Sequence, residues 1–255
     1  MKKISVVIPM YCEEEVAYIC YKRVVSNLKK LSDRYSYEVI FINDGSKDDT
    51  LDILKKIADN DKNVKIISFS RNFGHQAAVI AGIRNVTGDA VIIMDADLQD
   101  PPELFEGMIE KWENGYDVVY GKRKSRSGES LFKLLTAKAF YNTLNKLSEI
   151  EIPKDTGDFR LVDRKVIDVI ASLPEHNKFL RGLFSWVGFN QYAYEYNRVN
   201  RIAGKTKYPF NKMFKLATDG ILSFSAKPLK VVGAIGFFCN CFDCDFGIFY
   251  CFVCV

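Results

Sequence analysis

From residue 3 to residue 121 the chain alternates short β-branched runs with stretches of helical periodicity, joined by short connections. Strands are expected at residues 4–9, 37–43, 64–69, 90–94 and 117–121, and helices at about 14–31, 48–58, 75–86 and 103–114. Parallel strands need a long crossover, usually a helix, and such crossovers are right-handed. The alternation therefore predicts an α/β fold: a mostly parallel sheet with helices on both faces. Ligands on sheets of this kind sit beyond the carboxyl ends of the strands. Those ends carry PMYCE (9–13), NDGS (43–46), SRNFG (70–74), DAD (95–97) and GKR (121–123), so each offers polar or charged groups.

The fourth of these ends is the most specific. In VIIMDADLQDPPE (91–103) a short apolar run, too brief for a helix, leads into acid. Side chains alternate along an extended backbone, so Asp95, Asp97 and Gln99 can converge their oxygens where the strand leaves the sheet. Such a set suits a hard divalent cation. Mg²⁺ takes one or two carboxylates and fills its other positions with water and phosphate oxygens, which makes a nucleoside diphosphate the natural companion ligand. Pro101 and Pro102 fit the opening of a helix, with Glu103 in its first turn.

Two other α/β classes are disfavoured. A dinucleotide oxidoreductase needs a Gly-rich turn after its first strand, and residues 9–15 contain no glycine. A receiver-type signalling module needs its acidic pair at the end of the first strand, which here ends in Pro9.

Composition bounds the rest. A chain of 255 residues, 48% hydrophobic, can bury a full core. Residues 198–230 hold eight Lys/Arg against one acid, Asp219, leaving the remainder of a +4 chain at −3. A basic segment on a mildly acidic body points to a local anionic partner and away from a nucleic-acid footprint. Five of seven cysteines lie in the last seventeen residues; Cys12 and Cys20 stand apart, so no disulfide framework is expected. The first strand follows Met1 almost directly and no secretory signal is read before it, so the body is expected to sit in a reducing cytoplasm.

After residue 121 the pattern changes. Residues 130–147 read as a long amphipathic helix, and DTGDFRLV (155–162) as a turn entering a strand, with Asp158 and Arg160 able to face one way. A short helix is expected at 178–187 and an aromatic strand at 191–199. Residues 210–225 form a basic amphipathic stretch fit to lie in a membrane interface, with Lys212 and Lys215 beside its apolar face. Residues 231–255 are overwhelmingly apolar and long enough to cross a bilayer of roughly 30 Å at about 1.5 Å per residue. Asp243 and Asp245 interrupt that stretch, each at roughly 2.5–3.5 kcal/mol on insertion scales. The expected organisation is thus a catalytic body (1–200), a basic interfacial segment (201–230) and a hydrophobic, Cys-rich tail (231–255).

The motifs IPMYCEEE, FINDGSKDDT, SRNFGHQAA, MDADLQDPPE, YGKR, DTGDFRL, FLRGLFSWVGF and RIAGKTKY together resemble those of polyisoprenyl-phosphate glycosyltransferases. These are inverting enzymes of the GT-A fold, related to dolichyl-phosphate mannose synthase and bactoprenol glucosyl transferases. The resemblance covers residues 3–230. It implies that Pro9, Tyr11, Glu13, Asp44 and Gly74 line the nucleotide-sugar site, and that Asp95, Asp97 and Gln99 hold Mg²⁺ or Mn²⁺. It further implies that Arg123 and Arg160 meet the acceptor phosphate, and that Arg201 and Lys207 close over the diphosphate. Two departures stand out. The family usually has Asn where this chain has Cys12, and relatives of the bactoprenol type continue through two membrane helices where this chain has one Asp-interrupted stretch.

The expected activity is transfer of a hexose, glucose from UDP-glucose, to polyprenyl phosphate at the cytoplasmic face of the cell membrane. Asp97 and Arg160 are candidate catalytic groups, as is Asp158, which would orient the acceptor or take a residual proton. Alternatives are GDP-mannose or a modified UDP-sugar as donor, or a membrane-tethered nucleotide-sugar binding protein without turnover. An anionic membrane surface is the expected further partner, and self-association stays open.

Overall fold

The computed structural model describes residues 1–124, 156–174 and 179–199, together with the single residue Gly233. The expected helix at 130–147, the basic segment with Arg201 and Lys207, and the hydrophobic tail apart from Gly233 lie outside the described residues.

Seven strands form one sheet: β1 (Lys2–Met10), β2 (Tyr35–Asn43), β3 (Val64–Ser68), β4 (Ala90–Ile93), β5 (Val118–Arg123), β6 (Thr156–Asp163) and β7 (Gln191–Tyr196). Their order is β3-β2-β1-β4-β6-β5-β7. All neighbours pair in parallel except where β6 meets β4 and β5, to which it is antiparallel. The start of β6 therefore lies at the same edge of the sheet as the carboxyl ends of the other strands. That is how Asp158, early in its strand, reaches the edge where Asp95 leaves β4.

The expected helices form with small shifts at their ends: α1 (Glu14–Lys29), α2 (Thr50–Asn60), α3 (His75–Asn85) and α4 (Phe105–Glu113), the last preceded by a 3₁₀ turn at Pro102–Leu104. α2 starts two residues later than periodicity predicts. Asp48 accepts hydrogen bonds from the Thr50 amide (3.2 Å) and hydroxyl (2.6 Å), a local turn that competes with the first helical bonds. Helix α5 (Arg164–Ser172) was not foreseen; Asp163 caps it by accepting from the Lys165 amide at 2.9 Å. α6 is Leu180–Trp186.

Strand alternation sorts the core into two layers. Val6 and Ile8 of β1 face the layer containing α1, α2 and α4, while Val7 faces the layer built by α3, α5 and α6. A Cβ on Gly82 would come within 2.3 Å of a Val7 methyl, so this glycine sets how closely α3 approaches the sheet.

At the amino end of the strands, Glu38 is buried (2% exposed) and well paired. It accepts from Ser5 Oγ (2.6 Å), the Thr87 amide (2.6 Å), Thr87 Oγ (2.9 Å) and Lys65 Nζ (2.8 Å). Burial pushes its pKa up, but the hydrogen bonds from Lys65, Ser5 and Thr87 outweigh this and bring it down to about 2.

Candidate active site

Strand β4 is buried along its whole length and ends at Ile93. Its acids follow at once, on a tight loop in which Leu98 takes a φ of +56°. Asp97 Oδ1 accepts from the Gln99 amide at 3.1 Å, which fixes the loop, while the Asp95 side chain is one-third exposed. Leu98 is itself fully buried, so packing holds the backbone in a conformation that a branched side chain disfavours.

Asp95 does not stand alone. His75, the first residue of α3, lies 3.7 Å from Asp95 Oδ1 and 3.0 Å from Asp158 Oδ2. Arg181 of α6 forks onto Asp158 from the other side, with Nε at 2.8 Å from Oδ1 and Nη2 at 3.3 Å from Oδ2. The imidazole therefore bridges two carboxylates, and one of these is bidentate to a guanidinium. Burial works against a charged His75, but Asp158 and Asp95 more than compensate and raise its pKa to about 9. Burial likewise opposes the Asp158 carboxylate, which Arg181 and His75 nevertheless hold well below the usual carboxylate range. Asp158 is thus held as an anion between two positive partners.

The residues that the resemblance assigns to the nucleotide-sugar lie at the ends of β1 and β2 and on the turn before α3. Asp44 is nearly buried and its carboxylate receives the Phe73 amide (2.7 Å), the Gly74 amide (3.0 Å) and Asn72 Nδ2 (2.9 Å). It thereby holds the turn that presents Gly74 and His75, which is an architectural use beside the ligand contact that the resemblance implies. Gly45 (φ +64°) must be glycine: an added Cβ would fall 2.3 Å from the Arg71 carbonyl carbon. Pro9 is buried, whereas Tyr11 and Glu13 are partly exposed beside this turn; the Glu13 amide donates to Thr50 Oγ1 at 2.8 Å. Between them Cys12 has φ +52°, with its amide on Ser46 Oγ at 2.9 Å. Asn is among the few side chains that tolerate this left-handed region, which gives a backbone reason for the residue usual in the family.

Arg160 and Asp158 are both on β6 and both meet α6, as their spacing of two predicts, and the Arg160 side chain is 4% exposed. Its guanidinium donates to the carbonyls of Gly157 (3.0 Å) and Asp158 (3.3 Å) and lies 4.4 Å from the Phe184 ring centroid. This arginine braces the backbone that carries Asp158 and does not face open space. Arg123, at the end of β5, stays near the site, 4.0 Å from the buried Asp100. His75, Arg181, Asp100 and Arg198 were given no role from sequence, although the first two fall inside the motifs SRNFGHQAA and FLRGLFSWVGF. That one of only two histidines sits where a strand end opens a helix was the available signal.

Among the described residues no group of three or more His, Cys, Asp or Glu side chains forms a metal-binding cluster. The donors of Asp95, Asp97 and Gln99 nonetheless fit Mg²⁺ or Mn²⁺, which needs few protein ligands when phosphate oxygens complete the shell. Burial raises the pKa of Asp95, His75 opposes this, and Asp158, Asp100 and Asp97 add to it.

The chain belongs to glycosyl transferase family 2, whose model matches residues 5–170. It is 53% identical over 234 residues to the uncharacterized glycosyltransferase YkcC of Bacillus subtilis, covering 91% of this chain and 71% of that protein. It is 46% identical over 236 residues to the bactoprenol glucosyl transferase of Shigella phage SfX, covering 92% and 77% respectively. Two solved structures share its fold at low identity. Mannosyltransferase PcManGT from Pyrobaculum calidifontis, in complex with GDP-Man and Mn²⁺, gives a TM-score of 0.54 at 16% identity, covering 76% of this chain and 55% of that one. Glucosyl-3-phosphoglycerate synthase from Mycobacterium tuberculosis, with Mn²⁺, UDP and phosphoglyceric acid, gives 0.53 at 19%, covering 85% and 75%. The fold is of the GT-A type, as the motifs imply.

Proposed function

We propose that this glycosyltransferase moves glucose from UDP-glucose to polyprenyl phosphate, with inversion, at the cytoplasmic face of the membrane. The observation that carries the reading is the placement of opposite charges at one sheet edge: Asp95 and Asp97 for a cation, with His75, Arg181 and Arg123 close by. The name of the phage relative, bactoprenol glucosyl transferase, supports the acceptor class.

In a single displacement an acceptor phosphate oxygen bonds to the anomeric carbon while the bond to the diphosphate breaks and its electron pair leaves with UDP. The nucleophile is already largely ionised near neutral pH, so the site must position and neutralise more than it must deprotonate. Asp158, held anionic by Arg181 and His75, orients. Asp95, Asp97 and Gln99 would hold Mg²⁺ or Mn²⁺, which when bound supplies Lewis-acid neutralisation of the departing diphosphate. By the resemblance Arg201 and Lys207 would add positive charge to the same group, and the basic composition of residues 201–230 suits an anionic lipid surface.

Incubation with UDP-glucose, GDP-mannose or UDP-N-acetylglucosamine, each with undecaprenyl phosphate and Mg²⁺ or Mn²⁺, tests this reading. A lipid-linked product from UDP-glucose is expected. Product from GDP-mannose alone would replace the donor, and nucleotide binding without product from any donor would replace the enzyme by a binding protein.

A further inference from the structure

Asp100 is completely buried and its hydrogen bonding is incomplete. Tyr196 donates its hydroxyl to Oδ1, and two guanidiniums approach the same oxygen without reaching it: Arg198 Nε at 3.7 Å and Arg123 Nη2 at 4.0 Å. Asp100 Oδ2, Arg123 Nε and Arg198 Nε are buried with no hydrogen-bond partner among the described residues. Buried charged groups normally find partners, so three unsatisfied atoms in one cluster call for an explanation.

Three segments meet here. Asp100 closes the loop that begins with Asp95 and Asp97. Arg123 ends β5, in register with Tyr196 of β7, and Arg198 follows two residues after Tyr196. The Val199 amide donates to the Gln99 carbonyl at 3.1 Å, which ties the segment after β7 to the acidic loop. The cluster also touches the strand that carries Asp158: a Cβ on Gly157 would lie 2.8 Å from Arg123 Nη2 and 3.8 Å from Asp100 Oδ2.

Two guanidiniums and one carboxylate leave a surplus of one positive charge. Without Asp100 the arginines would repel each other, and if Asp100 bound both fully their donor forks would be spent. At ion-pair range but beyond hydrogen-bond range, the carboxylate holds them side by side and leaves donors for a tetrahedral oxyanion.

We propose that Asp100 is a positioning residue that presents Arg123 and Arg198 as a two-guanidinium clamp for a phosphate group of the reaction, with Arg198 a phosphate-binding residue in its own right. The proposal rests on the reading of the site as one for a nucleotide-sugar and a lipid phosphate. Either could supply the clamped group: the phosphomonoester of the lipid or the diphosphate of the nucleotide.

The test uses the full chain and its Arg198→Gln, Arg198→Lys, Asp100→Asn and Gly157→Ala variants. Calorimetry measures dodecyl phosphate and UDP with Mn²⁺ separately, and initial rates give KM for acceptor and donor. Binding of these probes needs no turnover, so it is readable even if wild type transfers no sugar, the outcome that would sink the proposed activity instead. Arg198→Gln should weaken one of the two ligands by about tenfold or more, the loss of a charge-assisted pair, with Arg198→Lys recovering part of it. Asp100→Asn should raise KM for that same ligand with a smaller effect on kcat, and Gly157→Ala should mimic it by displacing Arg123. Loss confined to dodecyl phosphate assigns the clamp to the lipid; loss confined to UDP assigns it to the nucleotide. Unchanged affinity for both in folded Arg198→Gln overturns the clamp, and an Asp100→Asn variant with wild-type KM values overturns the positioning role.

Discussion

Arg181 is expected to matter for stability as much as for charge in the site. The perturbation is Arg181→Met, which keeps an apolar stem and removes the fork. Asp158 is 8% exposed at its side chain and Arg181 24%, so the pair is largely desolvated. Removing one partner of a buried pair costs about 3–5 kcal/mol because the other is left uncompensated. His75 stays on Asp158 at 3.0 Å, which puts the expected loss at the low end, about 3 kcal/mol. For a chain of this size each kcal/mol shifts Tm by about 2–4 °C, so the midpoint should fall by about 6–12 °C. Thermal unfolding followed by circular dichroism at pH 7 reads this directly. The double variant Asp158→Asn with Arg181→Met should lose less than the sum of the singles, by about 2 kcal/mol, since neither leaves a lone charge. A shift of under about 2 °C for Arg181→Met, or strict additivity in the double variant, would refute the claim that the fork holds Asp158 in place.

Other outcomes are expected. The Glu38 pKa, about 2 in the fold against an ordinary 4.5, is a depressed one. Its stabilisation is present above pH 4.5 and lost as pH falls towards 2, so Glu38→Gln should cost about 3 kcal/mol at pH 7 and flatten the acid limb of a stability–pH curve; an unchanged limb contradicts this. Cys12→Asn should relieve the positive φ and stabilise the fold by about 0.5–1 kcal/mol in a denaturant titration, and destabilisation would argue that the thiol is needed in place. Asp97→Asn should abolish turnover and weaken metal-dependent nucleotide binding, whereas full activity in excess chelator would remove the metal from the mechanism. Deletion of residues 231–255 should leave a protein that still floats with anionic liposomes and releases with salt, and a truncated chain that never floats would make the tail the anchor.

The layered α/β fold was legible because β-branched runs and helical periods are local signals, and all five strands predicted within residues 4–121 and α1 to α4 keep their places to within two residues at either end. Reversal of β6 and the capped helix α5 were not legible. Strand direction depends on which edge the incoming chain meets, and nothing within TGDFRLVD encodes that. Acids at strand ends were found because spacing of two along a strand is a geometric statement. Partners from distant segments were not: Arg181 lies 23 residues from Asp158 and His75 83 residues from it. Spacing did place Arg160 on one face with Asp158, where both meet α6; its burial against Phe184 comes from tertiary packing and was not legible.

The reversed strand also sets a distance. β6 is inserted between β4, which delivers Asp95 and Asp97, and β5, which delivers Arg123. Adjacent strands lie about 4.8 Å apart, so one intervening strand separates the two delivery points by about 10 Å. That gap is a ruler: it fixes how far apart the acidic loop after β4 and the guanidinium at the end of β5 are anchored on the sheet. Side chains at either anchor can vary without altering this span, but a change in the pairing of β6 would move both anchors at once.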